Sequence, residues 1–404
     1  MEKLISKKKP FYPINNLLKT YLIDFNRWIN VPISYDDLLR FQGSINVYDN
    51  NDKDTLWTRV YYSDSELKEI DYNLKKIYTI LHSDGNESNL TYLNIDAIDY
   101  CTFGNSKPFR IKVRNILNDN FTYFYIKKTD SSRVFGLEFE HMLSPYNLNF
   151  FVNETTLVEE HISGIPGDIF IKEMLPKCSD SQKSQIAKEY VKFNERCMIR
   201  LLGDMRAYNY VIVPIHDFDQ VIYKIRAIDF DQQSFEGRFS VYRPQFFKEN
   251  QPLIKMIQKK LTHDSIDQYK IEERSIVAKR IISNEKKINQ LLISMKEKPI
   301  SNKENLDKLK LEIYKFTKHK DFKNSVSMGD LMDASLSFLK ISAPPHPSLP
   351  LGRSSTVNLF TSFILRYSVL FLVLKINVVP GFFLAYTFAS HNPTPDTYPV
   401  SVEI

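Results

Sequence analysis

Three side chains in this sequence are of the types, and nearly at the spacing, that phosphoryl transfer needs: Asp204, Asn209 five residues later, and Asp229. The stretch Gly203-Asp204-Met205-Arg206-Ala207-Tyr208-Asn209 leads into a hydrophobic strand, Tyr210-Val211-Ile212-Val213, and Arg226-Ala227-Ile228-Asp229-Phe230-Asp231 ends the strand that returns from it. A hairpin between the two would gather acid, amide and second acid. Transfer from a nucleotide asks one carboxylate to accept or orient a hydroxyl proton. It asks an amide oxygen and another carboxylate to hold Mg²⁺ against the phosphate charge. Asp231 competes with Asp229 for that second role.

On these residues the sequence resembles the protein-kinase-like superfamily, especially its small-molecule branch, the aminoglycoside phosphotransferases and choline kinases. Asp204 and Asn209 match the catalytic-loop pattern D-x-x-x-x-N, Arg206 matches the basic residue common between them, and Ile228-Asp229-Phe230-Asp231 looks like the metal-binding I-D-F-E. Upstream, Phe124-Tyr125-Ile126-Lys127 resembles the strand that ends in the phosphate-pairing lysine. Glu138, in Leu137-Glu138-Phe139-Glu140-His141-Met142-Leu143, resembles its ion-pair partner. Leu157-Val158-Glu159-Glu160-His161-Ile162-Ser163-Gly164 looks like the hinge, whose backbone at Glu160 and Ile162 would hold adenine. Lys128 and Glu140 remain alternatives to Lys127 and Glu138.

The parts stand in the family's order, which is the strongest feature of the resemblance. It covers about residues 92 to 240 by motif and reaches about 340 by helical content. It implies a two-lobed α+β fold, ATP and Mg²⁺ as cofactors, and a hydroxyl-bearing acceptor, most simply a small molecule. Asp204 would be the base, Asn209 and Asp229 the metal ligands, and Lys127 the phosphate clamp positioned by Glu138. Two positions depart from the pattern. Leu202 stands where a His is usual, and Cys101 to Pro108 carries the single Gly104 in place of G-x-G-x-x-G, a motif small-molecule kinases of this fold often lack. These departures favour a second reading, a non-catalytic pseudokinase that uses the same pocket for binding.

The elements that must position these residues are legible in the periodicity. Residues 12 to 42 read as helical. Ser63-Asp64-Ser65-Glu66 is a capping box opening a helix whose stripe is Leu67, Ile70, Leu74, Ile77, Tyr78 and Leu81. From about Leu90 the period becomes two, and the runs 92–95, 109–113 and 121–126 predict an antiparallel meander with a tight turn at Asn118-Asp119-Asn120. A helix near 132–143 and strands near 150–152 and 155–160 follow. The spacing then predicts helices over 180–202, 251–261 and 264–295, and a last pair starting from the capping box Ser301-Asn302-Lys303-Glu304. The expected organisation is a helical region over 1–90, a kinase-like N-lobe over 91–160, a helical C-lobe over 161–341 and a tail over 342–404.

Composition bounds the rest. The 404 residues, 43% apolar and 25% charged, exclude a disordered, collagen-like or disulfide-framework chain. Three cysteines away from ligand spacing exclude a Cys-rich zinc site and fit a reducing cytoplasm, and MEKLISKKKPFYP lacks the apolar run of a secretory signal. His161 and His216 read as loop residues. The net charge of +6 is mild and favours solubility over a nucleic-acid partner. The eleven lysines against six acids over 285–323 read as a solvated face. Residues 342–404 hold only five charged residues and eight of the nineteen prolines. Their apolar run from Val357 to Ala389 is interrupted by Arg366, Lys375 and Pro380. An appendage or an out-of-frame extension is therefore expected, and membrane association through the tail is the less favoured alternative.

Overall fold

The computed structural model describes residues 9–49, 52–83, 85–102, 105–218 and 220–342. These fall into two compact units, one of 9–141 and 145–163, the other of 142–144 and 164–342. Gly104 and nearly all of the 342–404 tail lie outside the described residues.

The first unit is built on a seven-stranded sheet. It begins with helices α1 (Asn16–Asp24) and α2 (Tyr35–Leu38), then strands β1 (Gly43–Tyr48) and β2 (Asp54–Tyr61), and helix α3 (Asp64–Ser83). The expected meander follows as β3 (Leu93–Cys101), β4 (Phe109–Asn115) and β5 (Phe121–Lys128), then α4 (Ser131–Leu143), β6 (Phe150–Asn153) and β7 (Thr156–Glu160). The strand order is β1-β2-β3-β4-β5-β7-β6, every pairing antiparallel. The β4–β5 turn has the chemistry its sequence announces, with Asp119 left-handed (φ 55°) and the Asn120 N–H donating to Asn118 Oδ1.

The alternation of the strands builds the core. Ile111, Val113, Phe124, Ile126 and Val158 share one buried cluster with Ile70, Leu74, Ile77 and Leu81 of α3. Full burial of each such side chain contributes about 1.5–3 kcal/mol relative to exposure. Leu67, expected on the same stripe, is 45% exposed in the first turn of α3. At its cap, Glu66 N–H donates to Ser63 Oγ while the Ser63 hydroxyl turns to the Glu66 carboxylate.

The hairpin β1–β2 corrects the expectation that residues 1–90 are helical. Trp57-Thr58-Arg59-Val60-Tyr61 is β-branched and aromatic, and β2 joins the sheet edge by pairing Trp57, Thr58 and Arg59 with Cys101, Tyr100 and Asp99 of β3.

The second unit holds a small sheet and the remaining helices. It contains β8 (Ile165–Pro166), the short α5 (Gly167–Ile169) and the long α6 (Asp180–Ile199), followed by strands β9 (Tyr210–Asp217) and β10 (Gln220–Ala227). Helices α7 (Gln251–Lys260), α8 (His263–Ser283), α9 (Glu285–Glu297), α10 (Lys303–Thr317), α11 (Lys320–Asn324) and α12 (Met328–Ser342) complete it. The sheet order is β10-β9-β8. A ring cluster of Tyr190, Phe193 and Tyr210 joins α6 to β9, and Arg274 of α8 pairs with Glu195 of α6.

Two boundaries differ from the sequence reading. The helix expected over 264–295 is broken at Asn284, whose side-chain amide and backbone N–H both bond the Arg280 carbonyl and so end α8. The cap of α10 is Asn302, which accepts from Asn305 N–H, because the Ser301 hydroxyl is drawn away to the Phe235 carbonyl.

Candidate functional site

The second unit assembles the acid, amide and second acid. β9 and β10 form the expected hairpin, with Tyr210 opposite Ala227, so the residues just before one strand and just after the other meet at its open end. The Ile228 N–H donates to the Asn209 carbonyl at 3.1 Å, tying the two segments together. The loop that precedes is held close to its neighbours. The Gly203 N–H donates to the Gln232 carbonyl, and a Cβ on Gly203 would stand 3.0 Å from that oxygen. A Cβ on Gly167, at the start of α5, would fall 2.5 Å from the Ala207 carbonyl and 2.3 Å from the Tyr210 ring, so only glycine lets α5 pack there.

Asp204 itself is left-handed at φ 60°, a conformation that costs a non-glycine residue energy and that aspartate tolerates better than most. It is fixed from several sides. Its N–H donates to the Val241 carbonyl, and its own carbonyl accepts from Arg206 N–H at 2.7 Å and from Asn209 Nδ2 at 2.7 Å. Arg206 Nε donates to Asp204 Oδ1 at 2.9 Å and its Nη1 to Glu249 Oε1 at 2.9 Å. Asp204 Oδ2 and Asn209 Oδ1 have no hydrogen-bond partner among the described residues. Asp229 Oδ1 accepts the Asp231 N–H at 3.1 Å.

Burial pushes the Asp204 carboxyl up to about 7; Arg206 opposes the shift, and the charges of Asp229 and Glu249 reinforce it. Asp204 and Glu249 thus share one guanidinium, and Asp229 adds a third negative charge near Asp204, an excess that a cation would relieve. Among the described residues no group of three or more His, Cys, Asp or Glu side chains is placed to hold a metal ion. Asn209 Oδ1 and the Asp229 carboxylate are oxygen donors on the two segments that the Ile228 N–H ties together. That suits Mg²⁺, which keeps water and phosphate oxygens in most of its octahedron.

The first unit places Lys127, Glu138, Glu160 and Ile162. Lys127 is buried at the end of β5, whereas Lys128 is exposed. The sequence reading missed its partner there. Lys127 Nζ donates to Glu159 Oε2 at 2.8 Å, and Arg133 of α4 bonds the same carboxylate. The pleat explains the pairing, because Tyr125 faces Glu159 across the β5–β7 ladder and Lys127, two residues on, lies diagonally on the same side. Burial alone would raise Glu159, but Arg133 and Lys127 together hold its carboxyl down to about 2.

Glu138, also buried, serves another pair. It accepts from Tyr21 Oη of α1 at 3.1 Å and from Arg27 Nε at 3.1 Å. Arg27 donates in addition to the carbonyls of Leu148 and Phe150. Glu140 is buried as well. Glu160 ends β7 with its N–H donated to the Asn149 carbonyl and its Oε1 accepting from Asn149 N–H, while the Ile162 N–H has no partner among the described residues. His161 lies in the loop after β7, as expected, whereas His216 stands in β9 opposite Val221. The His161 Nδ1 lies 3.1 Å from the Tyr125 hydroxyl, and burial, with Arg110 nearby, lowers it to about 4.

No family model matches the sequence, and no curated protein matches it. Among solved structures the chain matches the crystal structure of Rad53 1-466 in complex with AMP-PNP, at 13% identity and a TM-score of 0.23. The match covers 60% of this chain and 59% of that one. A superposition that loose defines no fold for this chain, and the nucleotide analogue is a ligand of that protein. No helix among the described residues is long and apolar enough to cross a membrane.

Proposed function

We propose that this chain is an ATP- and Mg²⁺-dependent phosphotransferase of protein-kinase-like fold, of the small-molecule branch, which moves a phosphoryl group to a hydroxyl acceptor. The observation that carries the reading is the convergence of Asp204, Asn209 and Asp229 at one hairpin mouth, with an Asp204 carboxyl that burial pushes up to about 7. Strands β3, β4 and β5, helix α4, then β6 and β7 run in the order that the motifs demand.

In this reading Asp204 Oδ2 accepts the proton of the acceptor hydroxyl as its oxygen bonds to the γ-phosphorus and ADP leaves. Arg206 holds the other carboxylate oxygen, so the base is oriented before the acceptor arrives. Asn209 Oδ1 and Asp229 hold Mg²⁺, whose charge offsets that of the phosphates. Lys127, whose ammonium Glu159 holds, would bind phosphate, and the backbone at Glu160 and Ile162 would bind the base.

The test is ADP release over a panel of hydroxyl-bearing acceptors by the wild-type chain and by Asp204→Asn. Loss of a general base costs about 10²- to 10⁴-fold in rate. Nucleotide affinity should stay within a few-fold. Wild-type turnover in the variant would remove Asp204 from the mechanism.

A second reading, the pseudokinase, is favoured by one specific observation. The Lys127 ammonium is already bonded in a buried pair with Glu159, and Tyr125 and His161 occupy the same side of the sheet. Under that reading the chain binds a ligand and transfers nothing.

A further inference from the structure

Away from the hairpin mouth, the second unit buries a cation that no acid among the described residues bonds, although the Glu195 carboxylate attracts it. Arg243 is 7% exposed, and its guanidinium makes no hydrogen bond or ion pair among the described residues. It is stacked instead among aromatic rings, 4.6 Å from the Phe246 centroid, 5.2 Å from Phe316 and 5.7 Å from Phe239. Ring faces soften the loss of water around a cation but accept no N–H bond in the guanidinium plane.

Arg243 lines a cavity of about 40 Å³ between α6, α7 and α8, and two further orphans line the same space. Arg243 Nε, the Tyr190 hydroxyl and Gln245 Oε1 are all buried without a hydrogen-bond partner. Buried polar atoms are nearly always bonded, so three around one cavity mark an occupant. The charges nearby give its sign. Glu195, a carboxylate on the wall, is held by Arg274, and the Lys270 ammonium bonds Asp267. Arg243 is left in excess. Half a turn of the Gln245 amide about its last torsion would present Nε2–H in place of Oε1, so all three groups can donate.

We propose that this cavity binds a small monovalent anion of halide size, chloride in solution, as part of the folded second unit. Arg243 Nε, Tyr190 Oη and the Gln245 amide donate to it. Val191, Ile254, Ile257 and Ile266 give the wall an apolar part, which suits a weakly hydrated anion. A water takes about 10–15 Å³ of such a space, so the cavity accommodates one such ion or about three waters.

The experiment is thermal unfolding of the full chain in sodium chloride against sodium gluconate at constant ionic strength, repeated with bromide. Tm should rise by a few degrees from 1 to about 100 mM chloride, since an ion that binds only the folded state stabilises it as its concentration passes the dissociation constant. Arg243→Gln should lose that dependence, and Tyr190→Phe, the milder change, should need several-fold more chloride for the same shift. Bromide in crystals of the wild-type chain should give an anomalous peak within bonding distance of Arg243 Nε. Equal Tm values in chloride and gluconate, or a chloride dependence that survives in both variants, would show that water fills the cavity and overturn the proposal.

Discussion

Asp204 combines a left-handed backbone, a half-buried carboxyl and two neighbouring acids, Asp229 and Glu249. A raised carboxyl means that the folded state holds a proton the unfolded chain has released. Stability on this account is full below about pH 4 and falls as pH rises to about 7, where the folded group ionises too. Replacing Asp204 by Asn removes that slope. Measured by denaturant unfolding, the variant should gain on the wild type between pH 4 and 7, by up to about 1.4 kcal/mol for each unit of the shift. The loss of the Arg206 bond subtracts a constant from the gain. Parallel pH profiles for the two proteins would show that Asp204 titrates normally. In turnover the base must be ionised, so kcat/KM should rise with a midpoint near pH 7, and a midpoint near 4 would contradict the environment of Asp204.

At the scale of elements, the β5–β7 ladder and α4 are joined through Glu159, which meets Lys127 and Arg133. Glu159→Gln would leave two buried cations short of a carboxylate. The expected cost is about 3–5 kcal/mol in denaturant unfolding, and a change under 1 kcal/mol would mean that solvent already screens the pair. The sign with pH is opposite to that of Asp204. A depressed carboxyl stabilises above about pH 4.5, and its contribution is lost as pH falls toward 2. This carboxylate was not legible in the sequence, because Glu159 and Glu160 are adjacent and only the ladder register decides which one shares a side with Lys127. The β3–β4–β5 meander, α4 and the β9–β10 hairpin were legible, since each has a strict period and a turn of Asn and Asp or a following helix to delimit it. The β1–β2 hairpin was hidden because β1 is exposed at almost every position and so lacks a buried alternation. Asn284 was hidden for a different reason, as a polar residue within a helical period reads as part of the solvent face until its side chain is seen on a carbonyl.

At the scale of the whole molecule, the described body ends in α12, where Leu331, Met332, Leu336 and Leu339 are buried in the second unit. The five charges and eight prolines over residues 342–404 mark a change of material at that point. Deletion of 343–404 should therefore leave a body that melts cooperatively within a few degrees of the full chain. Loss of the cooperative transition would place the tail in the core.

Nucleotide and metal test the molecule as one system. ATP with Mg²⁺ at about one hundred times its dissociation constant adds about 2.7 kcal/mol to the folded state. For domains of about 150–250 residues each kcal/mol moves Tm by roughly 2–4 °C, so the shift should reach several degrees. An active phosphotransferase needs Asn209 and Asp229 on the metal, so ATP without Mg²⁺ should give a smaller shift. Asp229→Asn should remove most of the metal-dependent part while leaving the Asp231 N–H a neutral oxygen to bond. A pseudokinase would give a nucleotide shift indifferent to Mg²⁺ and to Asp229. No shift in a cooperatively melting wild-type chain at millimolar Mg²⁺ and ATP would defeat both readings, and Asp204, Asn209 and Asp229 would then be a capped turn at the mouth of a hairpin.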